Sequence, residues 1–253
     1  MKTLLKLLAV TLVLAAQPVH ARTFEEIKKG GTIVVASEGA FPPFNFFKGP
    51  TLTGFEIDLA EALAKKLGLT IEWRALSFDA LLAGLRQDRW DMVIASFGVS
   101  PERSKAVTFT DPHYCSGGVI VTKNPAIHTV KDLAGKVVVV QTGTTYLEHV
   151  RKIPGLKEVK NLPKDTDARS ALVAGRADAW VTDRFVAKAA VESNGGKGLE
   201  IGDFVFVERI AMAVKKGNTS LRTELDKALK QVMADGTYEA ISKKYLHEDV
   251  RCR

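Results

Sequence analysis

The first part of the chain alternates apolar strand-like runs with amphipathic helical stretches. Residues 32–37 and 70–75 have strand composition, and between them residues 54–67 carry apolar side chains at helical spacing and stop at a glycine. A second helix is predicted over residues 78–87, and a short apolar strand follows at 92–95. This β-α-β-α-β order predicts an α/β fold with a parallel sheet and right-handed crossovers.

The second part of the chain repeats this pattern. Strands are predicted at residues 119–123 and 137–141, and a helix runs through Val150. Four positions recur at an offset of 87: Leu85, Arg89, Asp91 and Ile94 return as Leu172, Arg176, Asp178 and Val181. Because both windows are a helix end, a tight turn and a buried strand, the repeat predicts two similarly built lobes. A strand is predicted at residues 210–215, and two amphipathic helices, 220–234 and 237–245, are predicted near the end of the chain. In the first part of the chain, residues 38–47, which contain two prolines, are predicted to be irregular.

The segment 90–103 is a candidate anion site. Its strand is followed by a loop at 96–98, and then Ser100 and Pro101 are typical of a helix N-cap and first helical position. Backbone N–H groups at a helix start attract an anion, and Arg103 adds a planar fork that fits a carboxylate. The pattern predicts a carboxylate-binding corner at the C-terminal edge of a sheet. The alternative is that Arg103 is a solvated surface charge.

Two further strand ends carry polar residues. The run 142–145, Thr-Gly-Thr-Thr, joins a predicted strand to a helix and offers a second place for an anion, or only an ordinary N-cap. Asp183 follows the strand of the second repeat, where charges face the crevice of an open α/β sheet. Asp183 is therefore either a ligand contact or the cap of the helix that starts at Arg184.

The N-terminal residues 1–21 predict a secretory signal peptide. Lys2 gives a basic start, residues 4–16 are mostly apolar, and Val19-His20-Ala21 is a small-residue cleavage site. The apolar run is too short for a membrane anchor, and no other segment is long and apolar enough to span a membrane. We expect a soluble, exported, periplasmic protein that starts at Arg22.

Composition and charge indicate an ordinary globular protein that does not bind nucleic acid. The chain has 253 residues, 46% hydrophobic and 26% charged, as is ordinary for a globular protein. Cleavage removes two lysines and no acid, so the formal charge falls from +7 to +5. Basic and acidic residues are interspersed, which argues against nucleic-acid binding.

Metal and cofactor chemistry is not expected. The histidines are scattered, no metal-ligand spacing occurs, and the sequence has no GxGxxG, GxSxG or HExxH motif. The only cysteines, Cys115 and Cys252, allow one disulfide in an exported chain.

Six segments resemble one known family, the polar amino-acid-binding proteins (family 3 type) that serve bacterial ABC importers. They are Phe41-Pro42-Pro43-Phe44, Gly54-Phe55-Glu56-Ile57-Asp58-Leu59, Ser100-Pro101-Glu102-Arg103, Phe109-Thr110-Asp111-Pro112, Gly143-Thr144-Thr145 and Gly175-Arg176-Ala177-Asp178-Ala179-Trp180. They occur in the family's order over residues 30–250. The resemblance implies the type II periplasmic binding protein fold, in which two parallel-rich sheets are joined by two hinge strands.

The resemblance also implies the division of the chain and its partners. Residues 22–114 and 213–253 would form lobe 1, and residues 115–212 would form lobe 2. The family topology brings Cys115 and Cys252 to the same lobe, which predicts a disulfide between them. The implied partners are a free amino acid and the membrane permease of an ABC importer, and the protein is expected to be a monomer.

The resemblance assigns roles in the cleft to individual residues. Arg103 would clamp the ligand α-carboxylate with help from Gly98, Thr144 and Thr145, and Asp183 would take the α-ammonium. Ser96 would add a contact, Phe41 would stack on the ligand unless it is only local core, and Glu38 would face the ligand side chain.

The function implied is capture of a free amino acid, without catalysis. A carboxylate in a closing cleft needs a partner and repels an acidic ligand, so Glu38 favours a basic or polar neutral amino acid. The alternative is that Glu38 turns away and bonds to the loop at residues 39–41. Competing functions are a cyclohexadienyl-dehydratase-like enzyme on the same scaffold, which needs a further general acid, and a receptor sensor lobe, which needs a transmembrane segment.

Overall fold

The computed structural model describes residues 21–193 and 198–252. The predicted signal segment 1–20 and most of a glycine-rich stretch, 194–197, lie outside these residues. The strands are β1 Thr32–Ser37, β2 Ala40–Phe41, β3 Asn45–Lys48, β4 Thr51–Thr53, β5 Thr70–Ala75, β6 Met92–Val93, β7 Val107–Thr122, β8 Val137–Gln141, β9 Glu158–Leu162, β10 Ala179–Asp183 and β11 Glu200–Lys215. The helices are α1 Phe24–Gly30, α2 Phe55–Leu67, α3 Phe78–Arg86, α4 Pro101–Ala106, α5 Thr145–Val150, α6 Asp165–Val173, α7 Arg184–Ser193, α8 Thr219–Ala234 and α9 Thr237–Leu246, with one 3₁₀ turn at Val130–Leu133.

Two parallel half-sheets are joined by two long antiparallel strands. The strand order is β5-β1-β6-β11-β7-β10-β8-β9, with β5, β1 and β6 parallel on one side and β10, β8 and β9 parallel on the other. β11 pairs with β6, β7 pairs with β10, and the two long strands pair with each other along their length. This arrangement confirms the predicted two-lobed α/β fold, and the hydrogen-bonded ladder runs on through both lobes as one eight-stranded sheet.

We call the half with β1, β5, β6, α1–α4, α8 and α9 lobe 1, and the half with β8–β10 and α5–α7 lobe 2. The C-terminal helices α8 and α9 pack on α2, so lobe 1 contains both the first and the last helix of the described residues. The predicted disulfide Cys115–Cys252 is present and ties the last described residue to β7.

The long strands are the main departure from the sequence expectation. β7 starts at Val107 and β11 at Glu200, whereas the pattern predicted strand only from residues 119 and 210. Pro112 cannot donate to a ladder and argues against a central strand. The pairing accommodates it by register shifts on both sides of Ala211, the residue that faces Pro112.

Other departures are smaller. β6 is only Met92–Val93, because the chain leaves the ladder before Ser96 turns into the left-handed region at φ 55°. The segment predicted as irregular after residue 38 contains the small antiparallel sheet β2-β3-β4. The strand β9 was not predicted.

The sequence repeat has a structural explanation. Asp91 Oδ2 accepts from the Val34 N–H in β1 at 2.7 Å, and Asp178 Oδ2 accepts from the Val137 N–H in β8 at 2.7 Å. Each aspartate therefore ties a helix-to-strand turn to the neighbouring strand of its own lobe. In the part of the chain described, no helix has the length and apolar content needed to cross a membrane.

Candidate binding site

A small cavity lies between the lobes, at the carboxyl ends of the parallel strands. Glu38 follows β1, Ser96 follows β6, and Gln141 is the last residue of β8. Ligands of open α/β sheets bind at such strand ends. The cavity is lined by Glu38, Phe41, Phe78, Ala95, Ser96, Gln141, Thr144, Thr145 and Tyr146.

Arg103 lies beside this cavity and is only 8% exposed, so the alternative of a solvated surface charge is wrong. Ser100 Oγ accepts from the Arg103 N–H at 3.2 Å, which is the predicted N-cap of α4. The guanidinium packs over the Phe97 ring and donates to the carbonyl oxygens of Gly98 and Gly143, each at 2.9 Å. A guanidinium has five N–H donors, so three remain beyond these two bonds.

The two threonines at the start of α5 have different partners. Thr144 Oγ1 accepts from the Leu147 N–H at 3.2 Å and donates to the Gln141 carbonyl at 2.7 Å, so Thr144 is the ordinary N-cap. Thr145 Oγ1 donates to Glu208 Oε2 at 2.8 Å. Thr145 is the first residue of α5, where backbone N–H groups have no intrahelical acceptor.

The Asp183 carboxylate takes one of its two predicted roles, the cap of the helix that follows it. Oδ1 accepts from the Phe185 N–H at 2.7 Å and so caps α7, whereas Oδ2 is buried without a hydrogen-bond partner. Burial raises the pKa of Asp183 to about 7. The free oxygen suits a cation, because a nearby positive charge would restore the ionised form.

Glu38 faces lobe 2 rather than its own loop. Its Oε1 accepts from Gln141 Nε2 at 2.7 Å across the cleft, and the Gly39 N–H donates instead to Asn45 Oδ1 at 2.9 Å. Burial raises the pKa of Glu38 to about 8. Phe41 stacks on Phe44, with ring centroids 5.7 Å apart, and lines the cavity as well.

Glu208, on β11, covers Gly98. A Cβ on Gly98 would lie 1.9 Å from Glu208 Oε2, so a larger residue there would displace the carboxylate. Glu208 Oε1 is buried without a hydrogen-bond partner, and burial raises the pKa of Glu208 to about 7. Of the three buried acids, Glu38 lines the cavity, Glu208 contacts the cavity residue Thr145, and Asp183 ends β10.

Comparison with known proteins identifies the family. The family model of the bacterial extracellular solute-binding proteins, family 3, matches residues 33–248. The chain belongs to this family. It is 34% identical to the L-cystine-binding protein TcyJ of Escherichia coli strain K12 over 89% of this chain and 86% of that one. It is also 34% identical to the putative ABC transporter arginine-binding protein 2 of the same strain, over 86% and 91% of the two chains.

Solved structures agree with this assignment. A structure of an ancestral arginine-binding protein bound to arginine has a TM-score of 0.81 and 41% identity, covering 85% of this chain and 98% of that chain. The resemblance noted from the sequence is therefore confirmed for this family 3 solute-binding protein.

The fold brings together most of the residues predicted for the site. Glu38, Phe41, Ser96, Thr144 and Thr145 line the cavity itself. The lining does not include Gly98, Arg103 or Asp183: Gly98 and Arg103 form the adjacent corner, and Asp183 ends β10.

Two polar residues of this family 3 site were missed from the sequence. Gln141 ends a parallel strand, so the rule that identified Asp183 applies to it equally. Glu208 carried no such signal, because it lies in the part of β11 that the pattern did not predict as strand.

Proposed function

We propose that this family 3 solute-binding protein is the substrate-binding component of an ABC amino-acid importer and captures a free amino acid between its lobes. The observation that carries the proposal is a pair of buried groups of opposite character: the Arg103 guanidinium on α4 and the Asp183 carboxyl group at the end of β10, whose Oδ2 has no hydrogen-bond partner. An amino acid carries the complementary pair, a carboxylate and an ammonium, on one carbon. The relatives that this chain resembles are named as binding proteins of transporters and not as enzymes.

Each predicted site residue takes a role in this proposal. Arg103 binds the α-carboxylate, with the backbone of Gly98 and Thr145 and the cap residue Thr144 beside it. Asp183 and Ser96 bind the α-ammonium, and Phe41 stacks on the ligand. Glu38 meets the distal end of the ligand side chain.

The substrate class follows from Glu38 and the acidic balance of the cleft. Burial already raises the pKa of Glu38 to about 8, so the carboxylate of an acidic ligand side chain next to Glu38 would be disfavoured in the same way. A cationic or amide side chain would instead give Glu38 a partner. We therefore propose a basic or polar neutral amino acid, in keeping with relatives named for arginine and cystine.

The proposed setting is the periplasm. Cleavage after Ala21 would leave a monomer that starts at Arg22, with lobe 1 formed by residues 22–114 and 213–253 and lobe 2 by residues 115–212. The Arg22 side chain pairs with Asp91, so the new N-terminus would be anchored on lobe 1. Mass spectrometry of exported protein should give a chain beginning at Arg22, and an intact Met1 would contradict this.

The test of the function is a thermal-shift screen of the twenty amino acids, followed by calorimetry, since a ligand bound only to the folded state raises its stability. Arginine, lysine, histidine or glutamine should bind more tightly than glutamate and aspartate. Incubation with prephenate or arogenate should give no turnover. Tightest binding of glutamate would overturn the proposed substrate class.

The same assay tests the carboxylate clamp. Arg103→Ala should lower affinity by about 2–5 kcal/mol, because the ligand carboxylate would be buried without its charged partner. Arg176→Ala, which removes an exposed arginine of lobe 2, is the control and should bind like the parent. Binding by Arg103→Ala within about twofold of the parent would place the site elsewhere.

A further inference from the structure

Glu56 is a carboxylate that the binding mechanism described so far does not use. It is the second residue of α2 and is fully buried. Its Oε1 accepts from the Ser96 N–H at 2.7 Å and, with the ring proton assigned to Nε2, from His113 at 2.9 Å. Its Oε2 accepts from Ser96 Oγ at 3.0 Å and from Asn45 Nδ2 at 2.8 Å. Four donors thus converge on one side chain.

These contacts fix both the backbone and the hydroxyl of Ser96. Ser96 has φ 55°, a conformation that costs free energy for any residue with a side chain. The bond from its N–H to Glu56 holds that conformation in place. The hydroxyl has one proton, and it donates that proton to Glu56 Oε2 at 3.0 Å.

The consequence is a defined polarity at the cavity wall. Ser96 lines the cavity and, with its proton donated to Glu56, presents lone pairs to the cavity and to the neighbouring buried hydroxyl of Tyr114. Lone pairs accept a hydrogen bond from an ammonium group and repel a carboxylate. The Ser96 hydroxyl can therefore distinguish the two charged groups of an amino acid.

The Glu56 carboxylate also contacts Asn45, which holds the loop between Glu38 and Phe41, and His113, which lies in the hinge strand β7. Asn45 uses its Nδ2 on Glu56 and its Oδ1 on the Gly39 N–H, and Gly39 lies between the cavity residues Glu38 and Phe41. His113 belongs to β7, the strand that passes from one lobe to the other. The Glu56 side chain thus links the Ser96 loop, the loop at Gly39 and the hinge strand β7.

We propose that Glu56 is the positioning residue of the binding site: it turns the Ser96 hydroxyl into an acceptor for the ligand α-ammonium and fixes the loop that carries Glu38 and Phe41. This inference rests on the proposed capture of an amino acid. Glu56 itself does not touch the ligand, so its effect must appear through Ser96.

The test measures the ratio of the affinities for two ligands, one with and one without the α-amino group. L-arginine and 5-guanidinopentanoate, which lacks only the α-amino group, are titrated calorimetrically into the full mature protein and its Glu56→Gln variant. The amide donates where the carboxylate accepted, which frees the Ser96 proton to face the ligand. We expect the ratio of the two affinities to fall by about tenfold, a change typical of one charge-assisted hydrogen bond. L-glutamine and 4-carbamoylbutanoate form a second pair with the same expectation.

Two further variants separate positioning from general stability. In a Ser96→Ala background, Glu56→Gln should leave the ratio unchanged, because the hydroxyl through which it acts is gone. Asp226→Asn is the matched control, since it converts another buried helical carboxylate that accepts a backbone N–H, from Asp111 at 2.6 Å. It should lower the unfolding midpoint and leave the ratio at the parent value.

Some results would overturn the proposal. A Glu56→Gln variant that loses affinity for both ligands of a pair equally would show a structural role only, and an unchanged ratio would show no role. If Arg103→Ala fails to weaken L-arginine and L-glutamine binding, the proposed function itself is wrong; if it does weaken binding while the Glu56 ratio stays constant, only this inference fails.

A second route applies if Glu56→Gln does not fold. Glu56→Asp keeps the charge but withdraws the carboxylate from Ser96, and it should shift the ratio in the same direction by a smaller factor. A crystal structure of the parent with L-arginine should place the ligand ammonium about 2.7–3.2 Å from Ser96 Oγ. A ligand carboxylate at that position would refute the inference.

Discussion

At the scale of single residues, the cleft contains acids whose burial is not matched by partners. Asp183 is completely buried, and only one of its oxygens has a donor. Burial raises its pKa to about 7, from an ordinary value near 4. A group held in this way costs stability when it ionises, and a ligand cation can offset that cost.

The first prediction concerns the pH dependence of stability. Between pH about 4 and about 7 the folded protein holds a proton on Asp183 that the unfolded chain has released, so the free energy of unfolding falls as pH rises through this range and levels above it. Asp183→Asn cannot titrate, and its slope should be shallower by up to about 1.4 kcal/mol per pH unit. Urea unfolding of the ligand-free proteins at pH 5, 6, 7 and 8 measures both slopes. Parallel curves would show that Asp183 stays ionised throughout.

The second prediction concerns the contact between Gly98 and Glu208. In Gly98→Ser the new Cβ would lie 1.9 Å from Glu208 Oε2, so the carboxylate must rotate and give up its bond from Thr145. The loss of that bond should lower the free energy of unfolding by about 0.5–1.5 kcal/mol. In a Glu208→Ala background the same substitution should cost less, because only the tight approach to Thr145 Cγ2, at 3.1 Å, is left. Equal costs in the two backgrounds would show that Glu208 does not lie over Gly98.

At the scale of elements, the sequence predicted those helices and strands whose determinants lie within their own residues. The helix α2, the strand β1 and the cap of α4 each have their determinants within their own few residues, and all three were predicted. The lower part of β11 has its pairing partner, β7, some eighty residues away, and Pro112 and Gly202 weaken both strands locally. Each of these strands is stabilised by pairing with the other, and the sequence pattern within a short window carries no information about that distant partner.

The candidate site follows the same division. Arg103 and Asp183 could be inferred because parallel strands deliver their C-terminal residues to one edge. Glu208 enters the corner from β11, and its position depends on the pairing of that strand with β7. Glu56 was noted only as part of a motif, since its four donors come from elements up to 57 residues away.

The third prediction concerns the link between β7 and the C-terminal segment. Cys115 and Cys252 are 137 residues apart, and closing a loop of this length stabilises by about 5 kcal/mol in the chain-entropy model. Replacing both cysteines by serine should lower the free energy of unfolding by up to that amount, measured by urea denaturation. The parent unfolded in reductant should show the same loss. An unchanged urea midpoint would mean that the bridge does not restrict the unfolded chain.

At the scale of the whole molecule, the two lobes touch through a few polar contacts across the cleft. Glu38 accepts from Gln141, and Arg103 donates to the Gly143 carbonyl. Both bonds join lobe 1 to lobe 2 and exist only when the lobes lie together. They contribute to the free energy of closure and therefore to ligand affinity.

The fourth prediction uses one of these contacts. Gln141→Ala leaves the Glu38 carboxyl group buried without this hydrogen bond, and leaving a buried polar group unsatisfied costs about 1–3 kcal/mol. Affinity for L-glutamine should fall by about fivefold or more, and small-angle X-ray scattering should show a larger radius of gyration at equal ligand saturation. Asn161→Ala is the control, because its side-chain bond to Thr142 stays within lobe 2. Parent-like affinity of Gln141→Ala would remove this contact from the closure mechanism.

Because β7 and β11 pass between the lobes, the two lobes cannot be completed in the order in which their first strands are synthesised. A ribosome makes β1, β5 and β6 first, but their central neighbour β11 and the covering helices α8 and α9 come last. Lobe 2 is contiguous, so all of its parallel strands are available earlier. A translation product that stops before β11 can therefore assemble much of lobe 2, but it lacks the middle of lobe 1, the partner of Cys115 and the acid over Gly98. Synthesis of the C-terminal segment is thus the step that turns an incomplete polypeptide into one with a finished cleft.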